Sequence, residues 1–220
     1  MKTIFVAGAH GGTGRRIVRE LIDAGYRVRG LVRTEEQAAA IRESGAEPFL
    51  GDLNGVFSEG LKGADAVICA VGAGASGNPE EVDHLGTVRL IEQSILDGVE
   101  RFILISSIGT LAPDQMPDLL KPFLLAKRRA EKVLEESKLN HTIIRPGGLT
   151  NDPPTGRVTA SMGITRHGRI SRDDVARAAV LALSLPQTES CEFEIVEGDV
   201  PLDEALQQLS STQKDRSEMK

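Results

Sequence analysis

Three glycines near the amino terminus, Gly8, Gly11 and Gly14, have a spacing that indicates phosphate binding. They follow the apolar run 4–7 and precede an amphipathic segment that ends at residues 24–25. Gly8 permits a turn that a side chain would obstruct, Gly11 lets backbone N–H groups approach a diphosphate, and Gly14 lets the next helix pack on the strand. The positive end of that helix then favours the anion. The pattern predicts a dinucleotide-binding loop.

The other residues of this loop belong to the same predicted site. They are His10, Gly12, Thr13 and Arg15. His10 and Thr13 either contact phosphate or face water, and the sequence leaves both interpretations open.

The end of the second predicted strand indicates which dinucleotide binds. An NAD site usually has a carboxylate about 20 residues after the glycines, which holds the ribose 2′-hydroxyl. This chain has Arg33 instead. A guanidinium pairs with a 2′-phosphate through two parallel hydrogen bonds, and Arg15 could assist from the facing side. Glu35 and Glu36 would weaken such a site, and Arg33 could simply be a solvated strand end. We expect NADP in preference to NAD.

Two further strand ends are expected to line the same crevice. Asp52 and Leu53 follow the third strand, and Ala70, Val71 and Gly72 follow the fourth. Asp52 could accept a hydrogen bond from the adenine amino group, while the small residues admit the ribose. As an alternative, Asp52 only forms a turn.

Short β-branched runs alternate with helical patterns along the chain, which predicts parallel strands joined by right-handed helical crossovers. The fold class is therefore α/β: a single Rossmann-like, doubly wound parallel sheet of about seven strands with helices on both faces. We expect one domain over residues 1–210 and a flexible tail over 211–220. The predicted strands are Thr3–Ala7, Arg27–Val32, Glu47–Leu50, Ala66–Ala70, Arg101–Ile105, His141–Arg145 and Glu192–Glu197.

Helix and loop positions complete this organisation. Thr34 with Gln37, and Ser171 with Asp174, are spaced as helix N-caps with their partners. Segments 73–78 and 150–169 are rich in small or turn-forming residues, and we expect loops there at the carboxyl edge of the sheet. The periodicity after Pro79 predicts a helix whose buried face consists of Val82, Leu85, Val88, Ile91 and Ile95.

The composition argues against several classes of partner. A net charge of -6 with 3% aromatic residues is unlike a nucleic-acid binder. No apolar run reaches the roughly 18 residues of a membrane helix, so we expect a cytoplasmic protein. Cys69 and Cys191 lie in apolar or alternating segments and are interpreted as buried thiols rather than a disulfide or metal pair. No metal site is predicted, and the oligomeric state stays open.

With these residues in place, the chain resembles the atypical short-chain dehydrogenase/reductase superfamily. The similarity is to its compact NAD(P)H-binding members, such as biliverdin reductase B, NmrA-like proteins and NAD-dependent epimerase/dehydratase-like proteins. It extends over nearly the whole chain. The blocks that carry it are "GAHGGTG", "LVR", "GDL", "RFILISSIG", "AKRRAEKVLEESKLNHTIIRPGGL" and "ISRDDVA".

The resemblance implies roles for residues beyond the glycine loop. Ser106 and Ser107 would lie beside the nicotinamide ribose and the substrate oxygen, and Lys127 would hold the ribose hydroxyls. Ser107 and Lys127 are thus the expected catalytic residues. The stretch expected to pass the nicotinamide consists of Pro146, Gly147, Gly148 and Leu149.

The family pattern breaks where proton transfer is decided. Related reductases and epimerases usually place a tyrosine four residues before the lysine, and this chain has Phe123 there. Its only tyrosine, Tyr26, leads into the second strand on the opposite side of the sheet. A missing general acid typically costs about 10²–10⁴ in rate. Among alternative proton donors, His84 and His141 are interpreted as structural or solvated, while the loop residue His167 could reach the pocket.

Two functions from different classes follow. The first is an NADPH-dependent oxidoreductase that transfers hydride to a small conjugated acceptor, such as a quinone or flavin, which takes its proton from solvent. The second is a non-catalytic NADP(H)-binding sensor or regulator. A sugar-nucleotide epimerase or dehydratase is less favoured, because that substrate needs a sizeable second domain.

Overall fold

All seven strands predicted from β-branched runs form, three of them with bounds that differ by one residue at one or both ends, and four further strands are present among the described residues. The computed structural model describes residues 1–74, 77–163 and 167–209. Within them the strands are β1 Thr3–Ala7, β2 Arg27–Val32, β3 Glu47–Leu50, β4 Ala66–Cys69, β5 Arg101–Ile105, β6 Asn140–Pro146, β7 Gly148–Thr150, β8 Arg157–Ser161, β9 Arg169–Ser171, β10 Cys191–Glu197 and β11 Val200–Pro201.

Helices connect successive strands. The α-helices are α1 Gly14–Asp23, α2 Glu35–Glu43, α3 Ser58–Leu61, α4 Thr87–Leu96, α5 Lys121–Glu136, α6 Arg172–Ala182 and α7 Leu202–Gln207. A π-helix, Glu80–Gly86, leads directly into α4, and short 3₁₀ turns cover Pro113–Gln115, Asp118–Leu120 and Pro186–Thr188.

The main sheet is mostly parallel and doubly wound. Its strand order is β11-β8-β10-β6-β5-β4-β1-β2-β3, and a separate small sheet pairs β7 with β9. The chain runs outward from β1 in both directions, so the carboxyl ends of β1, β2 and β4 meet at the point where the order reverses. In such sheets ligands bind at this switch point. The predicted Rossmann-like α/β class is confirmed, with nine strands in the main sheet rather than seven.

Segment 150–169 is not the loop that its composition predicts. It contains β8, which pairs antiparallel with β10, and β11 pairs with β8 in turn. Only one apolar side chain of β8, that of Val158, is fully buried. The strand is held by backbone hydrogen bonds to β10, and a pairing of this kind leaves little apolar periodicity in the sequence.

Alternate residues of the central strands pack into two separate layers. Ile4 and Val6 of β1 contact the layer formed with α1, α2, α6 and α7, while Phe5 and Ala7 contact the layer formed with α3, α4 and α5. Successive side chains of a strand point to opposite faces, so both faces of β1 are covered. Helices therefore lie on both faces of the sheet, as predicted.

The helix after Pro79 buries a different face from the one its apolar residues predict. Among the predicted positions only Ile91 is in the core, and Ile95 is 47% exposed. The π-helix adds an extra residue to its turn and so shifts which residues face inward. The buried face consists of Asp83, Gly86, Thr87, Leu90, Ile91 and Ser94.

One predicted helix cap is confirmed and the other needs correction. The Gln37 N–H donates to Thr34 Oγ1, as the spacing predicts. Ser171 does cap α6, but it accepts from the N–H of Asp173. The carboxylate of Asp174 is instead used by the backbone N–H groups of residues 155–156, which it accepts at 3.0 Å.

The remaining organisational predictions concern the ends of the chain and the membrane. The predicted tail, 211–220, and the expected domain end at residue 210 lie outside the described residues. Among the helices that are described, none is both long and apolar enough to cross a bilayer.

Candidate functional site

A cavity of about 290 Å³ opens at the switch point of the sheet. It brings together residues from four strand ends that are far apart in the sequence. The predicted cofactor-site residues that line it are Gly8, His10, Gly11, Arg33, Asp52, Leu53, Ala70, Val71 and Gly72. Gln37 and Val82 also contribute to the wall, and neither is part of the predicted cofactor site.

The glycine loop has the shape that a bound diphosphate requires. Gly8 has a φ of +80°, and a Cβ there would lie 2.7 Å from the carbonyl oxygen of Ala70. A Cβ at Gly14 would lie 1.9 Å from the carbonyl oxygen of Gly8. Both clashes involve backbone atoms that cannot move aside, so the loop excludes side chains at these points. The residues present fit a dinucleotide diphosphate.

Backbone donors of this loop are available to an anion. The Gly11 N–H donates to Gly8 O at 2.9 Å, and the Arg15 N–H donates to Gly11 O at 3.0 Å. Between them, the N–H groups of Gly12 and Thr13 donate to none of the described residues. They lie at the amino end of α1, where the helix dipole favours negative charge. Thr13 is buried and does not face water, while the side chain of His10 is exposed at the cavity.

The Arg33 side chain stands at the cavity with its charge available. Its guanidinium makes no hydrogen bond or ion pair with a described residue, and its backbone N–H donates to Gln37 Oε1 at 2.9 Å. Glu35, expected to weaken a phosphate site here, instead lies 3.7 Å from the Arg42 guanidinium. Arg15 is exposed on α1 and does not line the cavity.

Both interpretations of Asp52 are compatible with its position. Its Oδ1 accepts from the Asn54 N–H at 2.7 Å, and its carbonyl accepts from the Gly55 N–H at 2.9 Å, so it forms a turn. It also lines the cavity beside Leu53. The second carboxylate oxygen has no described partner and is available to a ligand.

Lys127 does not line the cavity, but it contacts Val71, which does, and it is paired with a residue absent from the sequence prediction, Asp83. Lys127 Nζ lies 2.9 Å from Asp83 Oδ1 and donates to the Val71 carbonyl oxygen at 3.4 Å. Asp83 is 2% exposed, and its Oδ2 accepts from the Ala73 N–H at 3.0 Å. The apolar residues around Asp83 directed the prediction to the wrong helix face. Asp83 lies seven residues, or about two helical turns, before the buried Leu90. This spacing is the signal that could have placed Asp83 on the buried face.

The two serines after β5 differ in what their side chains contact. The Ser106 hydroxyl is buried and donates to Glu131, whereas the half-buried Ser107 hydroxyl donates to the Ile108 carbonyl at 3.0 Å. The Ser106 N–H donates to the carbonyl of residue 144, and the Ile108 N–H donates to that of Pro146. Ser107 is therefore held beside the end of β6, at the carboxyl edge.

A buried ion pair connects α5 to β6 beneath this edge. Arg145 donates from Nε to Glu131 Oε1 at 3.0 Å and from Nη2 to Oε2 at 2.9 Å. Glu131 Oε1 also accepts from Ser106 and Thr110, and Oε2 accepts from Arg128. Burial favours the protonated carboxyl, but the hydrogen bonds and charge of Arg145 outweigh it, so the pKa of Glu131 lies below its ordinary value.

The stretch after Arg145 turns from the main sheet into the small one. A Cβ at Gly147 would lie 2.6 Å from the carbonyl of Gly168, and the Gly148 N–H donates to that same carbonyl at 2.9 Å. Leu149 follows, with its side chain 36% exposed. The passage of this stretch beside a nicotinamide stays a prediction.

The aromatic residues are placed as the sequence indicates. Phe123 lies half-buried in the first turn of α5, four residues before Lys127. Tyr26 immediately precedes β2 and so lies at the amino edge of the sheet, away from the cavity. The tyrosine phenol therefore cannot serve the carboxyl edge.

The histidines that are alternative proton donors differ in their surroundings. His84 Nδ1 lies 2.7 Å from Glu80 Oε1, and His141 is buried with Nδ1 3.0 Å from the Leu139 carbonyl. His167 is exposed. The first two are engaged in local structure, and a role for His167 stays a prediction.

Both cysteines are core residues. Cys69 and Cys191 are buried and free, and burial raises the pKa of each thiol, that of Cys191 to about 11. Thiols of this kind are poor nucleophiles at neutral pH.

Comparisons with known proteins agree with this geometry. Residues 8–186 match the model of a family described as NAD(P)H-binding. A protein of Bacillus subtilis, YhfK, named as an uncharacterised sugar epimerase, is 40% identical over 213 residues, covering 94% of this chain and 99% of its own length. Sanguinarine reductase of Eschscholzia californica is 28% identical over 241 residues, covering 88% of each chain.

A solved structure shares the whole fold. It is a provisionally named NAD-dependent epimerase/dehydratase of Bacillus halodurans, with a TM-score of 0.89 and 35% identity. The match covers 94% of this chain and 100% of that one.

Proposed function

The chain belongs to the NAD(P)H-binding family, and we propose that within it the protein is an NADPH-dependent oxidoreductase that reduces a small conjugated acceptor. The observation that carries the proposal is the cavity itself. It is lined by the glycine loop at Gly8, by Arg33, and by Val71, whose carbonyl accepts a hydrogen bond from Lys127. No tyrosine phenol lies at this edge of the sheet.

The preference for NADP rests on the state of Arg33. Arg33 lines the cavity, its guanidinium has no described partner, and Glu35 pairs with Arg42. A phosphate binds to such a group through charge-assisted hydrogen bonds, whereas a ribose hydroxyl gains far less. The Gln37 side chain supports this position, because its Oε1 accepts from the Arg33 N–H.

Each residue at the edge has a role that its position permits. A bound nicotinamide supplies the hydride. The loop amides bind the diphosphate, and Lys127, oriented by Asp83, donates to the ribose hydroxyls. Ser107 rotates from its bond with the Ile108 carbonyl and donates to the acceptor's oxygen. Because no phenol delivers a proton, the acceptor must form a delocalised anion that water can protonate.

Exposed apolar side chains follow β5 at the carboxyl edge of the sheet. The connection between β5 and α5 leaves three leucines in contact with solvent: Leu111, Leu120 and Leu119, the last at 82% exposure. Leu125, within α5, is also exposed. Because this connection starts at the carboxyl end of β5, these side chains support a quinone or flavin as acceptor better than a sugar.

Names among the relatives support two different chemistries. Sanguinarine reductase supports a reductase, whereas YhfK and the Bacillus halodurans protein carry epimerase names. Related epimerases usually have the tyrosine that Phe123 replaces, and a sugar nucleotide needs a sizeable second domain. An acceptor that takes its proton from solvent needs neither, so we place the reductase first. A small-molecule acceptor, no nucleic-acid or membrane partner and a cytoplasmic location stay predictions from the sequence.

We expect the purified protein to oxidise NADPH when it is offered a panel of quinones and flavins. Ser107→Ala should lower kcat about tenfold, because it removes one hydrogen bond to the charge that develops on the acceptor oxygen. The decrease in absorbance at 340 nm measures the rate. Ser184→Ala, in the turn just after α6, is the matched control and should leave the rate unchanged.

Phe123 also favours a second candidate, a sensor that binds NADP(H) without turnover. That candidate predicts tight NADPH binding, no oxidation with any acceptor, and a protein partner captured differently in NADP⁺ and NADPH. Turnover that Ser107→Ala slows would exclude it. A partner captured equally in both redox states would remove its basis.

A further inference from the structure

We propose that Arg172 binds the nicotinamide-side phosphate of the dinucleotide, as a second cationic contact separate from Arg33. This inference rests on the proposed dinucleotide site. Arg172 is the first residue of α6, far from the glycine loop in sequence. The family resemblance includes its sequence block but gives this residue no role.

The Arg172 side chain lies directly against the glycine loop. A Cβ built on Gly12 would come 3.1 Å from Arg172 Nε and 3.3 Å from its Cδ. Because Gly12 has no side chain, the Arg172 side chain can pack closely against the loop at this position. The Gly12 N–H, one of the amides without a described partner, belongs to the same residue. The Arg172 side chain therefore lies against a residue whose backbone N–H has no described partner.

The hydrogen bonds of Arg172 leave its two-pronged edge unused. Nη1 donates to the Leu149 carbonyl at 3.3 Å and to Asn151 Oδ1 at 3.1 Å, which fixes the orientation of the side chain. Nε and Nη2 donate to no residue in the described ranges. These two atoms form the edge that binds two oxygens at once. Arg145 uses the same pair of atoms to hold both oxygens of Glu131.

The charge around Arg172 is also uncompensated. The neighbouring Arg16 donates to Asp173 Oδ2 at 2.7 Å and to the Gly12 carbonyl at 2.7 Å, so the nearby carboxylate is already used. Arg172 and Arg15 have no carboxylate partner among the described residues. A cation in the first turn of a helix is disfavoured by the helix dipole. A phosphate bound beside Arg172 would offset the charge of its guanidinium and the positive end of the α6 dipole.

The position of Arg172 indicates which phosphate it binds. Arg33 lines the cavity near Asp52, where the adenosine half is expected, and Arg172 does not line that cavity. Arg172 lies instead on the side of Gly12 nearer to Leu149, in the stretch expected to pass the nicotinamide. In the dinucleotide, the diphosphate lies between the adenosine half and the nicotinamide half. The phosphate on the nicotinamide side is therefore the one that we expect Arg172 to contact.

The test compares two ligands that differ in this phosphate. Adenosine 2′,5′-bisphosphate carries the 2′-phosphate and the adenosine-side phosphate but lacks the nicotinamide-side one. Isothermal titration should show that Arg172→Gln weakens NADPH about tenfold or more, while binding of adenosine 2′,5′-bisphosphate changes by less than about twofold. Arg172→Lys should give an intermediate loss for NADPH, because it keeps the charge without the two-pronged edge.

Arg177→Gln, on the same helix, is the control. Arg177 is exposed and pairs with Asp203, so its loss should leave both affinities unchanged. Equal weakening of both ligands by Arg172→Gln, or no weakening of either, would overturn the assignment while leaving the dinucleotide site intact. Failure of the wild-type protein to bind NADPH or NADH at all would overturn the proposed function, and Arg172 with it.

Discussion

Glu131→Ala lowers the free energy of unfolding by about 3–5 kcal/mol, because it leaves the Arg145 guanidinium buried without its main partner. Glu131 has no exposed side-chain surface and Arg145 has 3%. The substitution also removes the acceptor for the hydroxyls of Ser106 and Thr110. Urea unfolding followed by circular dichroism measures the effect.

Two further variants distinguish the contribution of the buried ion pair to stability from the loss that any substitution in the core would cause. Glu192, 33% exposed, contacts the same guanidinium at 2.7 Å, and Glu192→Gln should cost about 1 kcal/mol or less. Replacing both partners, Glu131→Leu with Arg145→Met, should recover much of the loss, since buried pairs can be exchanged for apolar residues at little cost. A double variant as unstable as Glu131→Ala would contradict the assignment.

The pH dependence of this contribution follows from the direction of the pKa shift. The pKa of Glu131 is lowered in the folded protein from an ordinary value of 4.5. Its stabilisation is therefore fully present above about pH 4.5 and is lost as the pH falls through the folded-state pKa. The difference in stability between wild type and the double variant should shrink on acidification in that range.

Arg33→Asp reverses the cofactor preference, lowering the affinity for NADPH relative to NADH by about 100-fold. In the proposed site the substitution would remove two charge-assisted hydrogen bonds to the 2′-phosphate and add a repelling carboxylate, which can accept from a ribose hydroxyl instead. Because Arg33 is exposed, the effect should weaken as salt is raised. Isothermal titration with each dinucleotide measures it.

Arg27→Asp is the matched control for the change in net charge. Arg27 is exposed at the first position of β2, at the opposite end of the strand that Arg33 follows, and it does not line the cavity. It should leave the ratio of the two affinities within about twofold of wild type, because six strand residues of about 3.3 Å each separate it from Arg33 by roughly 20 Å, beyond the range of unscreened charge. A wild-type preference for NADH, or an unchanged ratio in Arg33→Asp, would show that Arg33 does not bind the 2′-phosphate.

The strands and the glycine loop were predictable because their signals are local. The runs Thr3–Ala7, Arg27–Val32, Glu47–Leu50 and Arg101–Ile105 form strands at the predicted bounds. The strand ends named in the sequence analysis do meet at one cavity. Parallel strands place their carboxyl ends together, so the topology alone brings these residues into one place.

The features that could not be predicted from the sequence depend on residues that are far apart along the chain. In the sequence, Arg145 and Glu131 look like ordinary exposed charged residues. Only the packing of β6 against α5 buries them and brings them together as an ion pair. Asp83 breaks the apolar pattern of its helix, and its burial is explained by the ion pair with Lys127 and the hydrogen bond from the Ala73 N–H. Strand β8 is held by its pairing with β10 rather than by its own composition. Each of these features is a tertiary contact, which local propensity does not encode.

A crystal structure of the protein grown with NADPH tests the central claim most directly. We expect the diphosphate within hydrogen-bonding distance of the Gly12 and Thr13 N–H groups, the 2′-phosphate on Arg33, and the nicotinamide between Ser107 and Lys127. Density for the nucleotide away from the glycine loop, or a 2′-phosphate pointing into solvent, would contradict the account.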